Sequence, residues 1–219
     1  LWINFESGDG AGKGTQIKLL AEYLKQKGFF VETGREPGQT AFGEYIRKVL
    51  QDPSLPALLP KTELLLYVAS GIEFIEQKVK PILQKGGIFI SDRWRYSTKA
   101  YQGYGLGLDL EIIDKLTHFS GDGICPDINV LIDIEPEIGL DNISGNEFGH
   151  KLDKIEQRGI DYHRKVNEGY RKIALENKER FFVLSYIPGK PLEMQEQIRK
   201  EIENCINQHG LNLLKHDFS

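Results

Sequence analysis

Between positions 5 and 15 the chain reads Phe5-Glu6-Ser7-Gly8-Asp9-Gly10-Ala11-Gly12-Lys13-Gly14-Thr15. Glycines let backbone N–H groups converge on anionic oxygens, a following helix adds its positive end, and one lysine can reach the terminal phosphates of a nucleotide. Phosphate chemistry is the reading these residue types favour; an ordinary glycine-rich strand-to-helix turn is the plain alternative. Ser7 stands where the strict G-x-x-x-x-G-K-[ST] pattern has its first glycine, and Gly14 where it has a magnesium-binding hydroxyl, with Thr15 one place later. A second cluster runs Arg35-Glu36-Pro37-Gly38-Gln39-Thr40 and on to Arg47, whose fork of donors suits a phosphoryl group or sugar unless it lies on a solvated helix face. In a third, Asp92 ends an apolar run as a magnesium-binding carboxylate would, and Arg93 and Arg95 follow it. There the alternatives are a structural salt bridge, with Trp94 and Tyr96 as core residues.

Such residues need a scaffold, and the pattern supplies one. Short β-rich runs alternate with long helical repeats, the mark of an α/β fold with a parallel sheet flanked by helices. Five strands are expected, at Leu1–Glu6, Gly28–Thr33, Gly87–Ser91, Ile128–Ile134 and Phe181–Ser185, each apolar enough for burial on both faces. Helices are expected at Thr15–Lys27, Lys61–Gln84, Asp153–Glu176 and Glu193–Gln208, with a Pro-rich loop at Asp52–Pro60. The three clusters all follow strand ends, where an open α/β sheet gathers ligands. Residues 142–152 mix glycine with polar residues and read as a mobile flap or as a plain surface loop. No repeat is visible, so one domain over 1–219 is expected.

Bulk properties exclude some classes. A formal net charge of −4 argues against a general nucleic-acid grip, which needs a broad basic face. No apolar run approaches the roughly 20 residues that cross a bilayer, and no leader pattern precedes the first strand, so a cytoplasmic protein without a membrane partner is expected. Cys125 and Cys205 lack C-x-x-C spacing and are expected as reduced thiols without metal or redox duty. Leu rather than Met at position 1 leads to the expectation of a few native residues ahead of it.

Taken together, the clusters resemble the thymidylate kinase family, whose pattern includes F-E-G-x-(D/E)-G-x-G-K-x-T, R-E-P-G-G-T-x-x-G-E-x-I-R and D-R-(Y/W/H)-x-x-S-x-x-A-Y-Q-G. Here these read Phe5–Thr15, Arg35–Arg47 and Asp92–Gly103, and the likeness continues through Pro126–Asp133 and Ile155–His163. The resemblance implies a P-loop three-layer α/β/α fold with a short lid. It implies transfer of a phosphoryl group from ATP to the 5′-phosphate of thymidylate with Mg2+, in a homodimer. By position, Lys13 and the backbone of Ser7, Gly8, Asp9, Gly10, Ala11, Gly12, Gly14 and Thr15 would hold the ATP phosphates. Asp9 would contact the acceptor sugar and help order the site, and Arg93 and Arg47 would grip the acceptor phosphate. Glu36, Tyr67, Ser97, Thr98, Tyr101 and Gln102 would surround base and deoxyribose, Tyr67 by stacking, and Asp92 with Thr15 would serve the metal.

Three departures stand out. Where the family has A-(D/S)-R on the helix after the second motif, this chain has Ala69-Ser70-Gly71, so an arginine restored at 71 is expected to improve thymidylate use. The loop carries Gly10 where a catalytic arginine is found in some members, which leaves Lys151 or Arg158 as the expected lid cation over ATP. Gly14 matches the G-x-G-K-G-T-Q of adenylate kinases and is compatible with activity. Two other readings are a monophosphate kinase of altered base preference and a kinase fold whose chemistry has decayed.

Overall fold

The computed structural model describes residues 1–144 and 152–208. Strand β1 (Trp2–Ser7) is buried throughout, and its period-2 alternation sends Ile3 and Phe5 to one side and Trp2, Asn4 and Glu6 to the other. It pairs in parallel with β3 (Ile88–Asp92) and β4 (Ile128–Asp133); β2 (Val31–Arg35) and β5 (Phe181–Ser185) add to the edges, giving the order β2-β3-β1-β4-β5. Phe5 and Arg35 both pair with Asp92, so the loops leaving β1, β2 and β3 emerge side by side from one sheet edge. On one face, α1 (Lys13–Gln26) and α9 (Pro191–Gln208) cover Ile3, Phe5, Val130 and Ile132 with Leu20, Leu24, Ile198 and Ile202. The other face carries α2 (Ala41–Gln51), α3 (Pro60–Phe74), α4 (Lys80–Gln84), α5 (Arg95–Thr98), α6 (Leu110–Ser120) and α8 (Ile160–Glu176); α7 (Pro136–Ser144) follows β4.

The parallel sheet is the expected one, with corrections in detail. Only β1, β3 and β4 are buried on both faces; β2 and β5 have one neighbour each and leave Glu32, Thr33, Arg35, Val183 and Ser185 exposed. β2 begins at Val31 rather than Gly28 and runs to Arg35. The long helix expected at Lys61–Gln84 is continuous but widens to a π turn at Ile75–Val79, two residues before Pro81, which has no N–H to donate and whose ring crowds the preceding turn. The helix expected from Asp153 starts only at Ile160. Asp153 instead closes a turn by accepting from the N–H groups of Ile155 and Glu156, each at 2.8 Å, and Gly159 caps the helix in extended conformation. Asn142 to Ser144 belong to α7, and the rest of the expected flap up to Lys151 lies outside the described residues.

Candidate active site

The strand-end loops converge because a buried polar network fixes them. Asn4 donates from Nδ2 to Glu6 Oε1 at 3.0 Å and to Asn129 Oδ1 at 2.9 Å, while Ser91 Oγ donates to Asn4 Oδ1 at 2.8 Å. Glu6 in turn accepts from the Trp94 N–H at 3.0 Å and from Ser97 Oγ at 2.5 Å, which pins the start of α5 to β1. Burial pushes the Glu6 carboxyl above the usual range, against the pull of its hydrogen bonds from Ser97 and Asn4. Between those anchors Arg93 adopts a left-handed φ of 71°, which turns its side chain back across β1.

The glycine-rich loop arches over this network. Gly10 and Gly12 have φ of 75° and 74°, and a Cβ on Gly10 would lie 1.9 Å from the Gly139 carbonyl oxygen on α7. That contact explains why no arginine stands in this loop. Asn142 also donates to the Gly10 carbonyl at 3.0 Å, so α7 buttresses the loop. Lys13, the first residue of α1, is buried and donates to Ser7 Oγ at 3.0 Å; its Nζ is 3.7 Å from Asp92 Oδ1. Burial first, then the Arg93 charge, pull its ammonium below the usual lysine range, with Asp92 and Asp9 opposing them. Arg93 donates to the Ser7 carbonyl at 2.8 Å, to Asp9 Oδ1 at 2.5 Å and to the Tyr101 and Tyr170 hydroxyls at 3.0 Å each. Both cations therefore meet at Ser7, one on its hydroxyl and one on its carbonyl.

They share one cavity of about 210 Å³. Asp9, Lys13, Asp92 and Arg93 line one part of it, and the remaining wall includes Glu36, Arg47, Tyr67, Ser97, Thr98, Tyr101 and Gln102. Every residue expected around the acceptor is thus in this wall. Arg47 donates to the Pro37 carbonyl at 3.0 Å, and burial lowers its pKa, so it is no solvated helix cation. Gln102 donates from Nε2 to Glu63 Oε1 at 2.9 Å, which leaves its Oε1 buried with no hydrogen-bond partner. Thr15 is exposed on the first turn of α1, and the remaining loop residues Gly8, Ala11 and Gly14 surround that turn.

Over residues 5–198 the chain matches the family model described as thymidylate kinase. It is 40% identical over 179 residues to thymidylate kinase of Carboxydothermus hydrogenoformans, covering 82% of this chain and 86% of that one. With thymidylate kinase of Caldanaerobacter subterraneus subsp. tengcongensis it shares 38% identity over 205 residues, 94% of this chain and 96% of the relative. The chain belongs to the thymidylate kinase family. The crystal structure of thymidylate kinase from Ehrlichia chaffeensis superposes with a TM-score of 0.74 at 31% identity, covering 93% of this chain and 98% of that one.

At two positions the surroundings differ from what the family pattern leads one to expect. Arg158 does not reach out over the glycine-rich loop: it grips Glu63 of α3 with bonds of 2.6 and 3.2 Å, donates to the Tyr162 hydroxyl at 2.7 Å and lies over that ring. A carboxylate as buried as Glu63 demands such a partner. Lys151, the other expected lid cation, lies outside the described residues. At position 71 a Cβ would meet the Trp94 ring at 3.0 and 3.1 Å, so any side chain there requires Trp94 to give by a few tenths of an ångström. Sequence reasoning missed Asn4, Glu63, Tyr170 and Gly139; polar residues at alternate positions of an otherwise apolar β1 were the signal for the first.

Proposed function

We propose that this chain acts as one unit that transfers the γ-phosphoryl group of ATP to the 5′-phosphate of thymidylate, giving the diphosphate and ADP. The observation that carries the reading is the meeting of Lys13 and Arg93 at Ser7 inside one cavity. A loose, highly charged transition state asks for two aligned nucleotides and fixed positive charge rather than a covalent nucleophile. Lys13 and the free N–H groups of the first turn of α1 serve the donor phosphates, and Arg93 and Arg47 the acceptor phosphate. Asp9 holds Arg93 and offers its other oxygen, buried and with no hydrogen-bond partner, toward the acceptor sugar. Tyr67 stacks on the base, with Ser97, Thr98, Tyr101 and Gln102 around base and deoxyribose.

Asp92 Oδ1 is buried without a hydrogen-bond partner, and among the described residues no cluster of three ligating side chains exists. That donor set suits a magnesium ion brought by the nucleotide and touched by one carboxylate, with the Thr15 hydroxyl nearby. Mg2+ would there neutralise charge on the phosphate oxygens.

A homodimer is the assembly we propose. Phe42, Tyr45 and Val49 on α2, Leu65 and Ile72 on α3, and Ile112 and Phe119 on α6 are all exposed, at helical spacings that make a stripe on each of three helices packed side by side. No helix among the described residues is long and apolar enough to cross a membrane, and the cytoplasm, where nucleotides are made, is the proposed location.

A coupled ADP-release assay with ATP and a panel of monophosphates tests the activity. Thymidylate is expected to give the highest kcat/KM. Tight ATP binding with no transfer to any monophosphate would refute it.

A further inference from the structure

Gln102 stands in the wall of the acceptor cavity, 1% exposed, on the π turn Lys99–Gly105. An amide has two nearly isosteric ends, an oxygen that only accepts and an NH2 that only donates, and a half-turn about its last torsion exchanges them. Glu63 on α3, 2% exposed and one helical turn before Tyr67, removes that freedom. Its Oε1 accepts from Gln102 Nε2 at 2.9 Å; with the amide turned over, oxygen would face oxygen. The other branch of the amide, Oε1, is then left buried and without a hydrogen-bond partner among the described residues. Arg158 holds the carboxylate in turn, bonding Glu63 Oε1 at 3.2 Å and Oε2 at 2.6 Å. The Tyr162 hydroxyl accepts from Arg158 at 2.7 Å and donates to the Tyr101 carbonyl at 3.3 Å, so the network closes on the residue next to Gln102. Neither Glu63 nor Arg158 is among the residues that line the cavity. Whatever they do for a ligand there, they do through Gln102.

A buried acceptor held in place without a protein donor asks the ligand for one. Thymine carries such a donor, its ring N–H at position 3. Cytosine has a bare nitrogen there, which sets acceptor against acceptor. We infer that Glu63, paired with Arg158, is a positioning residue that fixes the sense of the Gln102 amide, so that the wall accepts from the thymine ring N–H and rejects a base with a bare ring nitrogen. The inference rests on the thymidylate reading and deepens it, by naming the group outside the cavity that gives the base preference its sign. It also gives Arg158 a part in the reaction without a place over ATP: the guanidinium keeps a buried carboxylate compensated where an apolar residue would leave the charge stranded.

Steady-state kinetics with thymidylate and with 5-methyldeoxycytidylate, which differ only at ring positions 3 and 4, test the inference. Wild type should favour thymidylate by about a hundredfold in kcat/KM, most of it in KM. In Glu63→Gln the neighbour of Gln102 can donate as well as accept, so the amide is free to turn, and the preference should fall to about tenfold or less. In a Gln102→Met background, adding Glu63→Gln should change the preference no further, a result that general loosening of the fold would not reproduce. Should thermal melting show that the single change does not fold, Glu63→Gln combined with Arg158→Met leaves no buried charge uncompensated and takes its place. A wild type indifferent to the two bases, an undiminished preference in Glu63→Gln or its paired form, or a further fall on adding Glu63→Gln to Gln102→Met would overturn the role of Glu63. Wild type failing on thymidylate altogether would instead sink the parent reading.

Discussion

Ser7 shows how much one atom choice can do at the residue scale. Its hydroxyl holds Lys13 and its carbonyl holds Arg93, so the donor-side and acceptor-side cations are spaced by a single residue of β1. Gly71 is the opposite case, a residue defined by what its neighbour fills. A side chain there brings its Cβ within 3.0 Å of the Trp94 ring, so Trp94 must give by a few tenths of an ångström within a cluster that includes Trp2 and Phe74, and overpacking of this kind costs about 1–3 kcal/mol. Gly71→Arg is therefore predicted to lower the melting temperature by on the order of 5 °C and to leave kcat/KM for thymidylate no higher than wild type, the reverse of what the motif comparison leads one to expect. Calorimetry and initial rates on the same preparation check both halves. Lys13, Asp92 and Arg93 were legible from their motifs because backbone geometry at a strand end leaves few places for them. The roles of Trp94 and Glu63 were not, since each depends on a partner far away in the chain.

Helices and strands carry the next level. α5 and the π turn after it, Lys99–Gly105, hold Ser97, Thr98, Tyr101 and Gln102 on one wall, and they escaped the sequence reading because the stretch looks like a run of motif residues without clear apolar periodicity. The segment after the expected flap was misread for a related reason: Asp153 and Gly159 favour turn and cap over helix interior. It is strapped down instead, with Lys154 donating to the Val49 and Pro56 carbonyls at 3.2 and 3.1 Å and Arg158 on Glu63, so the chain before α8 is tied to α2 and α3. Those helices also bear the exposed stripes ascribed to a dimer. Phe119, 72% exposed near the end of α6, is an economical place to test that face. Sedimentation should find a dimer for wild type and a monomer for Phe119→Asp, with the melting temperature of the dilute monomer little changed by the substitution itself; a monomeric wild type would remove the assembly proposal.

For the whole molecule, the parallel sheet was legible from alternating β-rich and helical runs, and the central strands came out as expected because only near-continuous apolar sequence survives burial on both faces. The edge strands were less legible: with one face partly open, their sequence is freer. What the order β2-β3-β1-β4-β5 achieves is the alignment of three strand ends, so that the loops after β1, β2 and β3 frame a single cavity lined by Lys13, Arg47 and Arg93, with Tyr67 in its wall. The central claim is that two nucleotides meet end to end across Ser7, with Lys13 on one side and Arg93 on the other. An inhibitor that joins adenosine and thymidine through a five-phosphate chain measures this directly. The account predicts inhibition competitive with both ATP and thymidylate, weakened by Lys13→Met and by Arg93→Met alike. Competition with only one of the two substrates would mean that the nucleotides occupy separate sites, and would contradict it.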